Sequence, residues 1–253
     1  MCRNVKLGLR FRKMVEMIFM KASVCIATYN GLEWIEEQVS SILKQTNEVF
    51  EIVIVDDHSS DGTFEYLESL NNPIIKVFRN HENLGVIQSF EKALDQSSGD
   101  IVFLCDQDDI WHENKIEKVL EIFQENPDLK IVVHDAVLID GQNKSLGSNF
   151  YSTRKFSDSL IKNLLKNRFH GCCMAIEKKF LKNCIPFPEN IPMHDWWIGV
   201  LGCQKNKVQF IEDPLIKYRK HGNNLTGKSG SLWQQIKWRF SLTTNLLKCL
   251  RKN

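Results

Sequence analysis

Short apolar runs recur along the first half of this chain, each closed by a polar turn, and alternate with stretches whose apolar positions have helical spacing. Ser23–Thr28 (SVCIAT) is β-branched and apolar and stops at Tyr29-Asn30-Gly31, which predicts a strand and then a turn. Across Leu32–Lys44 the apolar positions Ile35, Val39, Ile42 and Leu43 fall on one face of a helix. Phe50–Val55 (FEIVIV) predicts a second buried strand, followed by the polar loop Asp56-Asp57-His58-Ser59-Ser60-Asp61-Gly62, which caps a helix over Thr63–Leu70. Ile74–Phe78 predicts a third strand, leading through Arg79-Asn80-His81-Glu82-Asn83-Leu84-Gly85 into a helix over Val86–Gln96. Ile101–Leu104 is a fourth strand. This alternation defines an α/β class with a mostly parallel sheet flanked by helices. Such sheets bind ligands beyond the carboxyl ends of their strands, and Tyr29, Asp56, Asp57, Arg79, Asp106 and Asp108 all follow strand ends.

The second half is less regular. Ile116–Asn126 predicts a helix, Lys130–Ile139 a strand, Phe156–Lys166 a helix and His170–Ile176 a strand. Phe180–Asn183 reads as one helical turn before Pro186 and Pro188, and Met193-His194-Asp195-Trp196-Trp197 opens a further helix. Val208–Ile211 and Leu215–Tyr218 read as two short strands.

The stretch Ile101–Trp111 (IVFLCDQDDIW) carries the chemistry, because a buried strand ends there in Asp106, Asp108 and Asp109. Carboxylates crowded at such a place repel one another and raise a pKa. A hard divalent cation relieves that crowding and also takes oxygens from a diphosphate. The plainer alternative is a helix start near Trp111 with Asp109 as its cap, which accounts for one aspartate of the three.

Composition adds little to the fold but bounds the partners. The chain has 253 residues, of which 43% are hydrophobic and 25% charged, with a net charge of +2, enough for one full core. The charge is uneven: Arg3, Lys6, Arg10, Arg12 and Lys13 face the single acid Glu16 at the start, and no acid follows Lys228. The eight cysteines show no CxxC pair and no zinc spacing, and Cys25 and Cys105 fall inside strands. A reduced, cytoplasmic protein is expected, with neither a cleaved signal peptide nor a spanning helix. No aromatic-basic platform or recognition helix points to nucleic acid.

Taken in order, SVCIATYNG, EIVIVDDHSSDGT, RNHENLGVIQSFEKAL and CDQDDIW resemble the conserved segments of a family 2 glycosyltransferase of the GT-A fold. NRFHGCCMA, HDWW and YRKHGNN resemble bacterial rhamnosyltransferase-like members in particular. The resemblance implies a domain over residues 21–225, between a basic N-terminal extension (1–20) and a basic amphipathic tail (226–253). It implies an inverting, metal-dependent transfer from a UDP- or dTDP-sugar to a glycan or lipid-linked glycan in cell-surface polysaccharide synthesis. The QxxRW signature of processive synthases is absent; Gln235-Ile236-Lys237-Trp238 is a poor match, so the expected enzyme is non-processive.

On this reading Asp106, Asp108 and His221 hold Mg²⁺ or Mn²⁺, while Ala27, Tyr29, Asp56, Asp57, Arg79, Asp106, Gln107 and Arg219 contact the nucleotide sugar. Asp57 accepts the base imide N–H and Tyr29 stacks on the base; the bland reading of either aspartate is an Asx turn. Arg79 and Arg219 suit diphosphate oxygens bidentately or are surface charges. Asp195 is the expected general base, since apolar neighbours raise a carboxylate toward a useful pKa; otherwise it caps its helix beside core tryptophans. His134, Asp135 and His170 are candidates for the acceptor side. Over Ser231–Leu250 a helix would align Leu232, Trp233, Ile236, Phe240, Leu247 and Leu250 between basic edges. That suits either peripheral contact with the anionic inner face of a membrane or docking on the domain. The competing functions are a sugar-phosphate nucleotidyltransferase and a non-catalytic sugar-nucleotide binder.

Overall fold

The structure, a computed structural model, describes residues 20–222, 224 and 231–252; the basic N-terminal extension expected at 1–20 lies almost wholly outside the described residues. The first half follows the alternation of its sequence. Strand β1 (Ala22–Thr28) leads to α1 (Leu32–Leu43), β2 (Glu51–Asp56), α2 (Thr63–Ser69), β3 (Ile75–Arg79), α3 (Val86–Gln96) and β4 (Ile101–Cys105). These strands are parallel in the order β3-β2-β1-β4. Every residue of β2 and β4 is buried, which is why they read as continuous apolar runs instead of alternating ones. Phe90, Ala93 and Leu94 of α3 join the same core.

Beyond β4 the parallel pattern ends and the sheet becomes mixed. A short strand β5 (Ile110–Trp111) precedes α4 (Lys115–Glu125), β6 (Ile131–Ile139), β7 (Ser145–Asn149), α5 (Phe150–Arg154) and α6 (Leu160–Leu165). A 3₁₀ turn at Gly171–Cys173 enters β8 (Met174–Glu177), followed by α7 (Lys178–Leu181), α8 (His194–Gln204), β9 (Val208–Arg219) and α9 (Leu232–Lys252). The full order is β3-β2-β1-β4-β8-β6-β9-β5, with β7 beside β6. Strand β8 is antiparallel to β4 and β6, whereas β9 is parallel to β6.

Four expectations are corrected here. No helix starts near Trp111: Ile110 and Trp111 pair with Lys217 and Ile216, and α4 starts after Asn114. The two strands expected over 208–218 are one, because a register shift around Pro214 absorbs the proline's missing donor without breaking the pairing. The strand expected from His170 starts only at Met174. The helix expected over 156–166 is shorter, starting after Ser159, whose Oγ accepts from Lys162 N–H at 3.5 Å.

The amino ends of the parallel strands are closed by polar contacts. Glu51 accepts from Ser23 Oγ at 2.6 Å, from Ser98 N–H at 2.5 Å and from Lys76 at 2.6 Å. Lys178 donates to Leu94 O at 2.6 Å and to Ser97 Oγ at 2.8 Å. Among the described residues no helix is long and apolar enough to cross a membrane.

Candidate active site

A cleft of about 570 Å³ opens at the carboxyl ends of β1, β2 and β4. It is lined by Ala27, Tyr29 and Asp57 from the turns after β1 and β2, and by Asp106, Gln107 and Asp108 after β4. His194 and Asp195 at the start of α8 and His221 after β9 complete the wall. The sheet thus gathers residues from far apart in sequence into one concave surface.

Two turns are tied together at the cleft floor. Gln107 Oε1 accepts from Thr28 Oγ1 at 2.7 Å and from Tyr29 N–H at 2.8 Å. Gly31 leaves room for this pairing, since a Cβ there would lie 2.4 Å from Gln107 Oε1 and displace that side chain. Tyr29 itself is about half exposed over the cleft. Asp57 organises the opposite wall, its Oδ1 accepting from Asn80 Nδ2 and Leu84 N–H and its Oδ2 from Gly85 N–H, each at 2.8 Å. Gly85 adopts φ +85°, a conformation that L side chains resist. Oδ2 accepts a single N–H and so retains acceptor capacity for a ligand.

The acidic group behaves as crowding dictates. Ligand oxygens of Asp106, Asp108 and Asp109 lie within 4.8 Å of one another. Burial, then the charges of Asp108 and Asp195, raise Asp106 to about 7. Burial, then the charges of Asp108 and Asp106, push Asp109 well above the carboxylate range. Asp109 Oδ2 is buried without a hydrogen-bond partner. Close, desolvated, underpartnered oxygens fit a hard divalent cation. His221 Nε2 lies 2.6 Å from Asp108 Oδ2 and its ring stacks on Trp34 at 5.7 Å. A second grouping, Asp106 with His170 and Cys172, also brings its ligand atoms within 4.8 Å.

Asp109 is no helix cap. Its Oδ1 accepts the Arg219 N–H at 3.1 Å, pinning the end of β9 beneath the acidic turn. Arg219 is equally committed, and the expected diphosphate clamp is corrected. It is 1% exposed, Nε donates to Asp108 O at 2.8 Å, Nη2 pairs with Glu37 at 2.6 Å and Nη1 donates to Asn143 Oδ1. Its guanidinium lies 4.4 Å from the Trp34 ring centre. Arg219 therefore fixes the backbone of the acidic turn from behind. Arg79 also stands off the cleft: Nη2 donates to Ser59 O at 2.8 Å, Nε lies 3.6 Å from Asp56 Oδ2, and the guanidinium packs on Phe64. Asp56 is fully buried and its Oδ2 accepts Ser59 N–H at 3.0 Å, so it holds its own loop and does not line the cleft.

Asp195 sits in the first turn of α8, after the N-cap Met193, and is 6% exposed. Burial raises its carboxyl to about 6, against the lowering effect of Trp196 N–H and Asn167. Trp196 and Trp197 belong to the core, donating to Asn163 O at 2.6 Å and Cys184 O at 3.1 Å. His134 and Asp135 are turned inward: His134 Nδ1 lies 2.7 Å from Asp135 O, and Asp135 Oδ1 accepts from Ala136 and Tyr151 N–H. His170 does line the cleft, stacked on Phe150 at 4.2 Å.

His194 was not singled out by the sequence. It is 4% exposed, lines the cleft, stacks on Phe90 at 4.1 Å and leaves both ring nitrogens without a partner. Burial lowers its pKa to about 3, which keeps it neutral. Its signal was its place beside Asp195, although a histidine next to two tryptophans reads equally well as core.

A parallel sheet that ends in clustered carboxylates, with a tuned carboxylate across the cleft, defines a nucleotide-sugar enzyme of the GT-A type. The Glycosyl transferase family 2 profile matches residues 23–185, and the chain belongs to that family of glycosyltransferases. A Bacillus subtilis glycosyltransferase, TuaG, assigned provisionally to teichuronic acid biosynthesis, is 38% identical over 85% of this chain and 84% of its own length. The dTDP-rhamnosyl transferase RfbG of Shigella flexneri is 28% identical over 87% of this chain and 79% of its own. WfgD of Escherichia coli, a glucosyltransferase acting from UDP-Glc on α-D-GlcNAc-diphosphoundecaprenol, is 30% identical over 78% and 76%. The Staphylococcus aureus TarS structure with UDP-GlcNAc superposes with a TM-score of 0.68 at 22% identity, which carries the fold. The chain covers 62% of that TarS fragment, against 83% of its own length.

Proposed function

We propose that this chain is an inverting, divalent-metal-dependent transferase that moves a sugar from a UDP- or dTDP-sugar to a lipid-linked glycan in bacterial surface polysaccharide synthesis. One observation carries the reading: Asp195, raised to about 6, lines the same cleft as the acidic group, close enough for its charge to raise Asp106. The names of RfbG, WfgD and TuaG support the donor and acceptor classes.

Asp106 and Asp108 would hold Mg²⁺ or Mn²⁺, with His221 supporting Asp108. Bound there, the cation neutralises charge on the departing diphosphate. Asp57 Oδ2 accepts the imide N–H of uracil or thymine, and the half-exposed Tyr29 ring packs on that base. Asp195 takes the proton of the acceptor hydroxyl as its oxygen attacks the anomeric carbon. The new C–O bond forms opposite the C–O bond to phosphate, which breaks with its electron pair leaving on the diphosphate, so the configuration inverts. His194 offers a neutral, unpartnered imidazole to a sugar hydroxyl, where an unmet hydrogen bond in a dry wall is costly.

The test is transfer or hydrolysis across UDP-, dTDP- and GDP-sugars with Mn²⁺ or EDTA. Turnover with UDP- or dTDP-sugars that disappears in EDTA is expected. Equal turnover in EDTA would remove the metal from the mechanism, and preference for GDP-sugars would remove the imide reading of Asp57.

A further inference from the structure

The helix α9 has two apolar faces, and only one of them is used. Leu242 and Leu246 are buried, with Trp238 and Cys249 packed against the core, so the helix docks firmly on the domain. Turned away from that seam, Leu232, Trp233, Ile236, Phe240, Leu247 and Leu250 are 45% to 76% exposed. A helix needs one apolar stripe to dock, and a second contiguous stripe of large residues marks an interaction surface.

Charge says what that surface meets. Lys237, Lys248 and Arg251 are around the stripe, and no acid occurs anywhere after Lys228. Another protein of ordinary composition would not call for flanks of a single sign; an anionic lipid surface does. Arg239, on the other edge, donates from Nε to Leu165 O at 2.7 Å. That contact brings α6 alongside, where Ile161 is 71% and Leu165 59% exposed next to the exposed Lys162 and Lys166. Two residues beyond Leu165, Asn167 Nδ2 reaches Asp195 Oδ1 at 3.3 Å. The exposed stripe is thus tied to the wall that carries the base.

We propose that α9, with the exposed edge of α6, is an interfacial surface that seats the protein on anionic lipid with the Asp195 wall of the cleft beside the bilayer. Lipid docking stands on exposure and charge alone; only the delivery of a lipid-linked acceptor to Asp195 rests on the transferase reading. Trp233 and Phe240 enter the headgroup boundary, and Lys237 and Lys248 meet lipid phosphates along one edge of the stripe.

Co-sedimentation of the whole chain with phosphatidylglycerol–phosphatidylcholine vesicles tests this, with no sugar donor present, so that its outcome is independent of turnover. Binding to the anionic vesicles is expected to exceed binding to pure phosphatidylcholine by at least tenfold and to weaken with salt. Phe240→Asp and Lys237→Glu should each lower it several-fold with an unchanged melting temperature, because neither side chain packs on the domain. Leu242→Asp is the contrasting variant, expected to unfold the seam. Absence of binding by the unaltered chain, or equal binding by Phe240→Asp, overturns the proposal. A dimer in sedimentation velocity that Phe240→Asp splits, without vesicle binding, would assign the stripe to a second copy instead.

Discussion

The amino end of β2 and the turn after β4 treat buried acids in opposite ways. At the amino ends Glu51 is enclosed by Ser23, Ser98 and Lys76, and these hydrogen bonds outweigh burial and pull it down to about 2. After β4, burial and the charges of Asp108 and Asp195 push Asp106 up to about 7. Glu51 opens β2 and Asp106 follows β4, both fully buried strands, so strand burial is not the difference. Donors enclose Glu51, and Asp57 after β2 as well, whereas Asp106 in the turn after β4 is surrounded by other acids. A satisfied acid stabilises the fold, whereas an acid left short of donors keeps its coordination for a ligand. Arg219 and Lys115 follow this logic. Both lie near the acidic turn, yet Arg219 contacts Asp108 through its backbone carbonyl and Lys115 donates to Cys172 O, leaving the carboxylates themselves unpaired by either cation.

Exchanging Asp195 for Asn makes the strongest break in this contrast. Transfer should fall by about 10²- to 10⁴-fold, appearing in turnover with donor affinity kept. The melting temperature should hold or rise near pH 7, since a buried charge with a raised pKa is removed. In the unaltered protein, transfer should climb as pH rises through about 6, where Asp195 loses its proton. A pH profile flat from 5 to 8 would take the base away from Asp195.

Asp108→Asn comes next, with a loss of roughly 10²- to 10³-fold and of Mn²⁺ stimulation. Calorimetric titration of Mn²⁺ reads the same change independently of turnover, and unaltered Mn²⁺ affinity would exclude Asp108 as a ligand. At the other end of the sheet, Glu51→Gln should cost about 1–2 kcal/mol of stability, a figure reduced because Lys76 is half exposed. The stabilisation by Glu51 is fully present above its unfolded pKa near 4.5 and is lost as pH falls toward about 2. Turnover per folded molecule should be unchanged; a Glu51 variant that folds but does not turn over would erase the distinction between the two acids. The smallest effect is expected from His194→Phe, with a rise in donor or acceptor KM of about tenfold, the worth of one hydrogen bond of ~1.4 kcal/mol.

The helix α3 falls on the residues its spacing predicts, and each strand of the first half lies within a residue or two of its apolar run. Those elements are local: apolar periodicity, a Gly or Asn turn and a polar stop lie within a few residues of one another. The positions of Asp57, Asp106, Asp108 and Asp195 were readable for the same reason, since each sits at the edge of such an element. The strands β5 and β7 were not, because a two-residue strand has no period and Ser145–Asn149 carries a single large apolar residue, Leu146.

The sequence alone therefore carries the α/β order and the collection of carboxylates at strand ends, through interactions that span a few residues. Only the folded chain decides which charges remain for a ligand. Asp109 and Arg219 look as available as Asp106 until β9 returns across more than a hundred residues to bury both against each other. The same holds for α9, where periodicity offered docking or lipid contact as alternatives, and packing shows one face docked and another left open. Whether a polar or apolar group is satisfied depends on neighbours distant in sequence, and only tertiary contacts supply them.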